Sequence, residues 1–133
     1  MHDPKKHIDL AENLVLRTYK LTGSPKILKI AMNNLYTGLK FLMKEATKSE
    51  TEDFLELVDL SEKEFKKKGI NKNFITFLRD IHSLKMHQKE SNIEFSRKDK
   101  YIFASESYDL EVLSEKEVKD YILKAKLLLN LVI

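Results

Sequence analysis

The sequence predicts an all-α protein, an up-down bundle of about five helices with room for a short β-hairpin between the last two. Apolar residues recur every third or fourth position through most of the chain. Helix start and stop signals (Asp-Pro, Ser-Pro, Ser-x-x-Glu and Gly) fall between those periodic runs. A length of 133 residues, with 42% hydrophobic and 34% charged side chains, fits one folded domain spanning residues 1–133.

Helix one opens on Asp3-Pro4. The aspartate can cap, and proline suits the first helical position, where its missing N–H costs nothing. Ile8, Ala11, Val15 and Tyr19 form its apolar stripe, flanked by Leu10 and Leu14, and Gly23 supplies a left-handed stop. Ser24-Pro25 repeats the start signal so soon that helices one and two should pair as an antiparallel hairpin.

Helix two runs from about Pro25 to Lys48. Leu28, Ala31, Leu35, Leu39, Leu42 and Ala46 form its main stripe, and Ile30, Met32, Tyr36, Phe41 and Met43 cover much of the remainder, as expected of a central helix. Gly38 in its middle costs roughly 1 kcal/mol relative to alanine. Close approach by another helix, of this chain or of a second subunit, is the expected compensation. Helix three starts near Ser49 or Thr51, turns Phe54, Leu57, Val58 and Phe65 inward and ends at Gly69. A second capping signal at Ser61–Glu64 permits a kink near Leu60. Its carboxylates Glu52, Glu56 and Asp59 share an outer face and read as solvated.

Helix four begins near Asn71 and presents Phe74, Phe77, Leu78, Ile81 and Leu84, its pattern fading after His87. Tyr101–Phe103 and the alternating Tyr108, Leu110 and Val112 then read as two short extended pieces turning at Glu106–Ser107. Ser114–Glu117 is a capping box, and Val118, Tyr121, Ile122, Ala125, Leu128, Leu129 and Val132 complete the last helix. Leu123, Leu127 and Leu131 lie off that stripe, which points to neighbours wrapping the helix or to an oligomer interface.

Several chemistries are excluded. With no cysteine there is no disulfide and no thiolate, in keeping with a reducing, cytoplasmic setting. The opening residues MHDPKKHIDL lack the apolar core of a signal peptide, and runs such as LLL and LVI are too short to span a bilayer, so no membrane is expected. Three glycines cannot build a phosphate-binding glycine loop. His2/His7 and His82/His87 are each five apart, about 140° out of line on a helix, so neither pair has the chelating i, i+4 spacing. We therefore expect neither cofactor nor metal.

Charge is unevenly spread behind a net +3. Residues 1–48 carry nine basic and four acidic side chains, residues 49–64 one and seven, residues 65–100 ten and four, and residues 101–133 four and six. Only Arg17, Arg79 and Arg97 among the 24 basic residues offer the planar fork that reads phosphates and bases, which counts against sequence-specific recognition. Within the basic block, Lys89, Arg97, Lys98 and Lys100 are interleaved with Phe95 and Tyr101 between helices four and five. Cations that follow phosphates and rings that stack on bases suit RNA or other single-stranded nucleic acid. The competing reading is a connecting arm anchored by Ile93, Phe95, Ile102 and Phe103 while the charges stay wet; both can hold at once.

The stretch KHIDLAENLVLRTYKLTGSPKILKIAMNNLYTGLKFLMKEA resembles the opening helical hairpin of HEPN-type domains, in which a long second helix with small residues packs on the first. HQKESNIEFSRKDKYIFASESYDLEVLSEKEVKDYILKAK is similar to the C-terminal half of an uncharacterised archaeal family of like helical make-up. The HEPN resemblance implies a helical bundle and a homodimer. In nuclease members it also implies an R-x4-6-H motif that cleaves RNA at the dimer interface. Here two residues separate Arg79 from His82 and seven separate it from His87, so neither pair matches. The combined expectation is a non-catalytic, self-associating bundle that offers His87, Lys89, Arg97, Lys98, Lys100 and Tyr101 to nucleic acid or a protein partner. The alternatives are a toxin-like ribonuclease using Arg79 with His82 or His87, and a pure protein–protein scaffold.

Overall fold

The computed structural model describes residues 3–91, 93–104 and 110–133. Among these, five helices precede, flank and follow a three-stranded antiparallel sheet. Helix α1 comprises Pro4–Asn13, a π-helical turn at Leu14–Thr18 and Tyr19–Thr22. It is followed by α2 (Lys26–Thr47), α3 (Phe54–Lys67), α4 (Asn73–Glu90), β1 (Ile93–Arg97), β2 (Lys100–Ala104), β3 (Leu110–Leu113) and α5 (Glu115–Val132).

The local signals act largely as the sequence suggests. Asp3 accepts from the Lys5 N–H with Pro4 in the first turn, and Gly23 closes α1 at φ 62°. Ser114 accepts from the Glu117 N–H and donates to the Glu117 carboxylate, completing the capping box of α5. Helix α3 departs from expectation at both signals. It starts at Phe54 with Asp53 as cap, while Ser49 and Thr51 organise the preceding turn. It also passes unbroken through Ser61, which lies fully buried on its inner face between Val58 and Phe65, where interhelical packing overrides the second cap signal.

Helix α2 is the axis of the bundle. Leu28, Ala31, Met32, Leu35, Gly38, Leu39, Leu42 and Met43 are all buried along it. Each large apolar side chain so buried contributes about 1.5–3 kcal/mol. Ile8, Ala11, Val15 and Tyr19 of α1 cover one side, Phe54, Leu57, Val58 and Phe65 of α3 another, and Val118, Ile122, Ala125, Leu128 and Leu129 come from α5. The close approach expected at Gly38 comes from α1 of the same chain. A β-carbon there would stand 3.0 Å from Ile8 Cγ1, 3.1 Å from His7 Cβ and 3.2 Å from the Pro4 carbonyl oxygen.

The expected hairpin is a three-stranded sheet in the order β1-β2-β3, so the all-α description gives way to a mainly helical one. The pieces around Tyr101–Phe103 and Leu110–Val112 do pair as β2 and β3, with Ile102 opposite Val112. The turn placed at Glu106–Ser107, and Tyr108, lie outside the described residues, as does His2. The segment read as an irregular connection is instead β1, paired on the other edge of β2.

The acidic and basic blocks meet within the chain. Arg79 of α4 contacts Asp59 at 3.2 Å and Glu62 at 3.3 Å on α3. Glu52 contacts Lys40 at 2.7 Å and is also bound by Lys44, and hydrogen bonds from those two ammonium groups hold its carboxyl down to about 2.

Two outcomes are expected. Gly38→Ala gains helix propensity of about 1 kcal/mol but overpacks a contact of typical cost about 1–3 kcal/mol. Urea denaturation should therefore show a net loss of about 1 kcal/mol; an unchanged or raised midpoint would mean that α1 yields freely. Glu52 has a lowered folded-state value, so its ion pairs stabilise above its unfolded value near 4.5, and that contribution is lost as pH falls toward about 2. Wild type and Glu52→Gln should thus differ slightly at neutral pH and converge in acid, measured as thermal midpoints across pH.

Candidate nucleic-acid interface

Strands β1 and β2 are joined by the two-residue loop Lys98-Asp99, and the register sets Phe95 opposite Ile102 and Arg97 opposite Lys100. Side chains alternate faces along a strand, and directly paired residues share one. One face therefore carries Glu94, Ser96, Tyr101 and Phe103 toward the bundle, and the other carries Ile93, Phe95, Arg97, Lys100 and Ile102 outward. Along β2 burial follows this division from Lys100 to Phe103, while Ala104, paired with Ile93, is buried as well. Tyr101, Phe103 and Leu113 belong to the core, while Phe95 is 43% exposed and every residue of β1 is open to solvent.

This corrects one candidate. Tyr101 is only 2% exposed, and a ring so enclosed offers no face to a base. Phe95 occupies the position expected of a stacking ring, on the same face as Arg97 and Lys100. His87 is also drawn inward. Its ring meets Phe103 edge-on at 5.4 Å, and its Nδ1 lies 3.6 Å from Glu111 on β3, so it helps seat the sheet on α4. Lys89, Arg97, Lys98 and Lys100 are exposed as expected.

The hairpin is held at both ends. At the tip, the Tyr19 hydroxyl of α1 donates to the Asp99 carbonyl at 3.2 Å. Burial, above all, raises the Tyr19 phenol, keeping it a donor. At the base, Lys29 of α2 donates to both carboxylate oxygens of Glu94 at 2.8 Å. That contact raises the lysine and lowers the glutamate. The buried Tyr101 hydroxyl stands beside this pair and is aligned with neither partner; burial is the main cause of its raised value.

Lys98 adopts φ 57°, a left-handed conformation at the first position of a two-residue loop, where glycine is usual. A non-glycine residue there costs about 1–2 kcal/mol. The loop retains a cation where backbone geometry alone would select glycine. The sequence contains this signal weakly, since Lys-Asp is not a common hairpin loop. The long-range anchors Tyr19 and Lys29 left no local trace.

The alternative ribonuclease residues are dispersed along α4. Arg79 is engaged by Asp59 and Glu62. His82 stacks on Phe54 at 5.6 Å, Phe54 in turn on Tyr36 at 4.4 Å, and the His82 Nδ1 is buried without a hydrogen-bond partner. His87 lies eight positions beyond Arg79 on the helix, a rise of about 12 Å. Among the described residues no cluster of His, Asp and Glu could hold a metal, and no helix is long and apolar enough to cross a membrane.

The fold and site together define a mainly helical bundle bearing a cationic β-hairpin. No protein-family model, curated protein or solved structure matches this chain. The HEPN likeness therefore stands on the sequence pattern of the first two helices.

Replacing Lys98 with glycine separates folding from binding. Lys98→Gly should raise stability by about 1 kcal/mol through relief of the left-handed strain. If the hairpin binds single strands, the same change should reduce the salt dependence of that binding, log affinity against log salt, by about 0.7. Denaturant unfolding and anisotropy titrations on one preparation would read both.

Proposed function

We propose that this protein is a non-catalytic, HEPN-like, cytoplasmic bundle that binds RNA or single-stranded DNA across the outer face of its hairpin and self-associates. One observation carries the binding reading: Phe95, Arg97 and Lys100 lie together on the exposed face of β1 and β2, with Lys98 at the tip. An exposed ring beside cations is what a sequence-tolerant single-strand platform needs, since bases stack and phosphates follow the charges. Arg97, Lys98 and Lys100 have no carboxylate partner among the described residues, so their charge is available to a polyanion.

Self-association is supported by α5. Leu123, Leu127 and Leu131 recur every four residues at 57%, 50% and 52% exposure, and Leu16 of α1 lines the same groove as Leu123. A ridge of this kind, with a groove beside it, suits packing against a second copy. Engagement of a different protein through the ridge is the competing outcome.

Fluorescence anisotropy with labelled RNA and DNA oligonucleotides tests the binding. Affinity should fall steeply with salt, and charge reversal at Arg97, Lys98 and Lys100 together should reduce the slope of log affinity by at least about 2. Phe95→Ala should cost about 1–3 kcal/mol of binding if it stacks one base. Unchanged affinity in the triple variant would remove the hairpin as the site. RNA degradation lost in His82→Ala or His87→Ala would replace this proposal with the ribonuclease one. Light scattering should give a dimer mass for wild type and a monomer mass for Leu123→Glu/Leu127→Glu.

A further inference from the structure

A second cationic cluster lies at the base of the hairpin, where α2 and α4 run beside the start of β1. Lys85 is its centre. Its ammonium donates to Asn33 Oδ1 at 2.8 Å and sits 5.6 Å over the Tyr36 ring, half-buried, with no carboxylate partner among the described residues. Lys89 follows one turn later on α4. Lys29 approaches from α2, its ammonium 5.7 Å over the Tyr101 ring and paired with Glu94. Lys26 acts on the same glutamate. Lys29 and Lys26 thus act on Glu94, while Lys89 and Lys29 are the like charges that act on Lys85.

A partly desolvated ammonium bound by one neutral oxygen and facing like charges is costly. Burial first, then Lys89 and Lys29, lower the Lys85 ammonium from its ordinary value. Ion pairing of the kind that neutralises Arg79, Lys40 and Lys44 reaches Lys29 of this cluster, through Glu94, but among the described residues neither Lys85 nor Lys89. Gln88 lines the same cleft and adds a neutral amide donor. The cleft floor is formed by Met32, Ile81, Leu84 and Phe103, which keep bulk water from beneath the ammonium. Its free volume of about 10 Å³ admits no more than one water, so a larger ligand sits on the rim.

We propose that Lys85, with Lys29 and Lys89, seats one phosphate group at this rim. The ligand class is a phosphate oxyanion, either free or as one unit of a nucleic-acid backbone. The inference does not depend on the hairpin face. Glu94, which Lys29 holds, precedes Arg97 by three strand residues, about 10 Å, and the two sets of cations can be altered separately.

Thermal unfolding in sodium phosphate and in sodium chloride of equal ionic strength, at one pH, tests it. Phosphate should raise the midpoint of wild type by about 3 °C or more beyond chloride. Lys85→Met keeps the stem and removes the charge; it should abolish that increment without lowering the midpoint in chloride. Lys89→Gln, a change at an exposed position that leaves the core intact, should weaken the increment and serves if Lys85→Met fails to fold. Charge reversal at Arg97, Lys98 and Lys100 should leave it unchanged. No phosphate-specific increment in wild type, or one that survives both Lys85→Met and Lys89→Gln, overturns the proposal. The source follows from a short single-stranded oligonucleotide in the same variants. A tenfold or greater loss in Lys85→Met marks a backbone phosphate, and unchanged oligonucleotide binding with the phosphate increment lost marks a free phosphate or monoester.

Discussion

Where α1 crosses α2, the carbonyl of Pro4 and the first atoms of His7 and Ile8 lie so near Gly38 that a methyl group would have to displace them. That missing β-carbon sets the separation of the first two helices, and the separation sets what α2 can bury. With α1 at this distance, Leu35, Leu39 and Leu42 are fully enclosed and α5 can pack across both helices. Glycine in a helix interior loses backbone entropy, about 1 kcal/mol against alanine. The burial it permits along a 22-residue helix is several times larger.

The sheet solves a different problem. Four helices packed around α2 leave part of the core to the sheet, and β2 and β3 close it with Tyr101, Phe103 and Leu113. Strand alternation then has an unavoidable consequence. Every second residue that seals the core obliges its neighbours to face water, so Phe95, Arg97 and Lys100 are presented on a rigid surface because Tyr101 and Phe103 are buried behind them. The outward face is positioned by the core, with Tyr19 and Lys29 fixing its two ends. This accounts for how a strained lysine persists at the tip, since the Tyr19 contact and the β1–β2 pairing over-determine the loop.

Local signals were legible in the sequence and long-range ones were not. Asp3-Pro4, Gly23 and the Ser114 box act within three or four residues, so their outcome needs no tertiary information. Gly38 was legible as a close approach, although the identity of the approaching helix was not. At Ser61 the local cap preference lost to packing, because a continuous α3 buries Phe65 as well as Phe54. β1 was missed because its burial is uniform. Its Ile93 and Phe95 do alternate with Glu94 and Ser96, but that signal is two apolar residues long, all five residues are exposed, and the strand is held by its partner β2. For the same reason the orientation of Tyr101 could not be read, since its face depends on register with β3. Phe95 and Tyr101 look equivalent in sequence and end on opposite sides of the sheet.

The charge distribution carries the last step. Three carboxylates of the acidic stretch from residue 49 to 64 engage cations of α2 and α4, with Glu52 on Lys40 and Lys44, and Asp59 and Glu62 on Arg79. Isolated surface pairs of this kind contribute little stability, typically below about 1 kcal/mol. Their larger effect is on the field, because they neutralise cations of α2 and α4 locally. Arg97, Lys98 and Lys100 at the hairpin tip, and Lys85 and Lys89 on α4, are among the cations that no carboxylate of the described residues pairs with. Within a chain of net charge +3, Arg97, Lys98 and Lys100 are grouped at the hairpin tip, with Phe95 on the same face as Arg97 and Lys100. Electrostatic focusing of that sort depends on where the acids are consumed, and so it follows from the helix packing rather than from the overall composition.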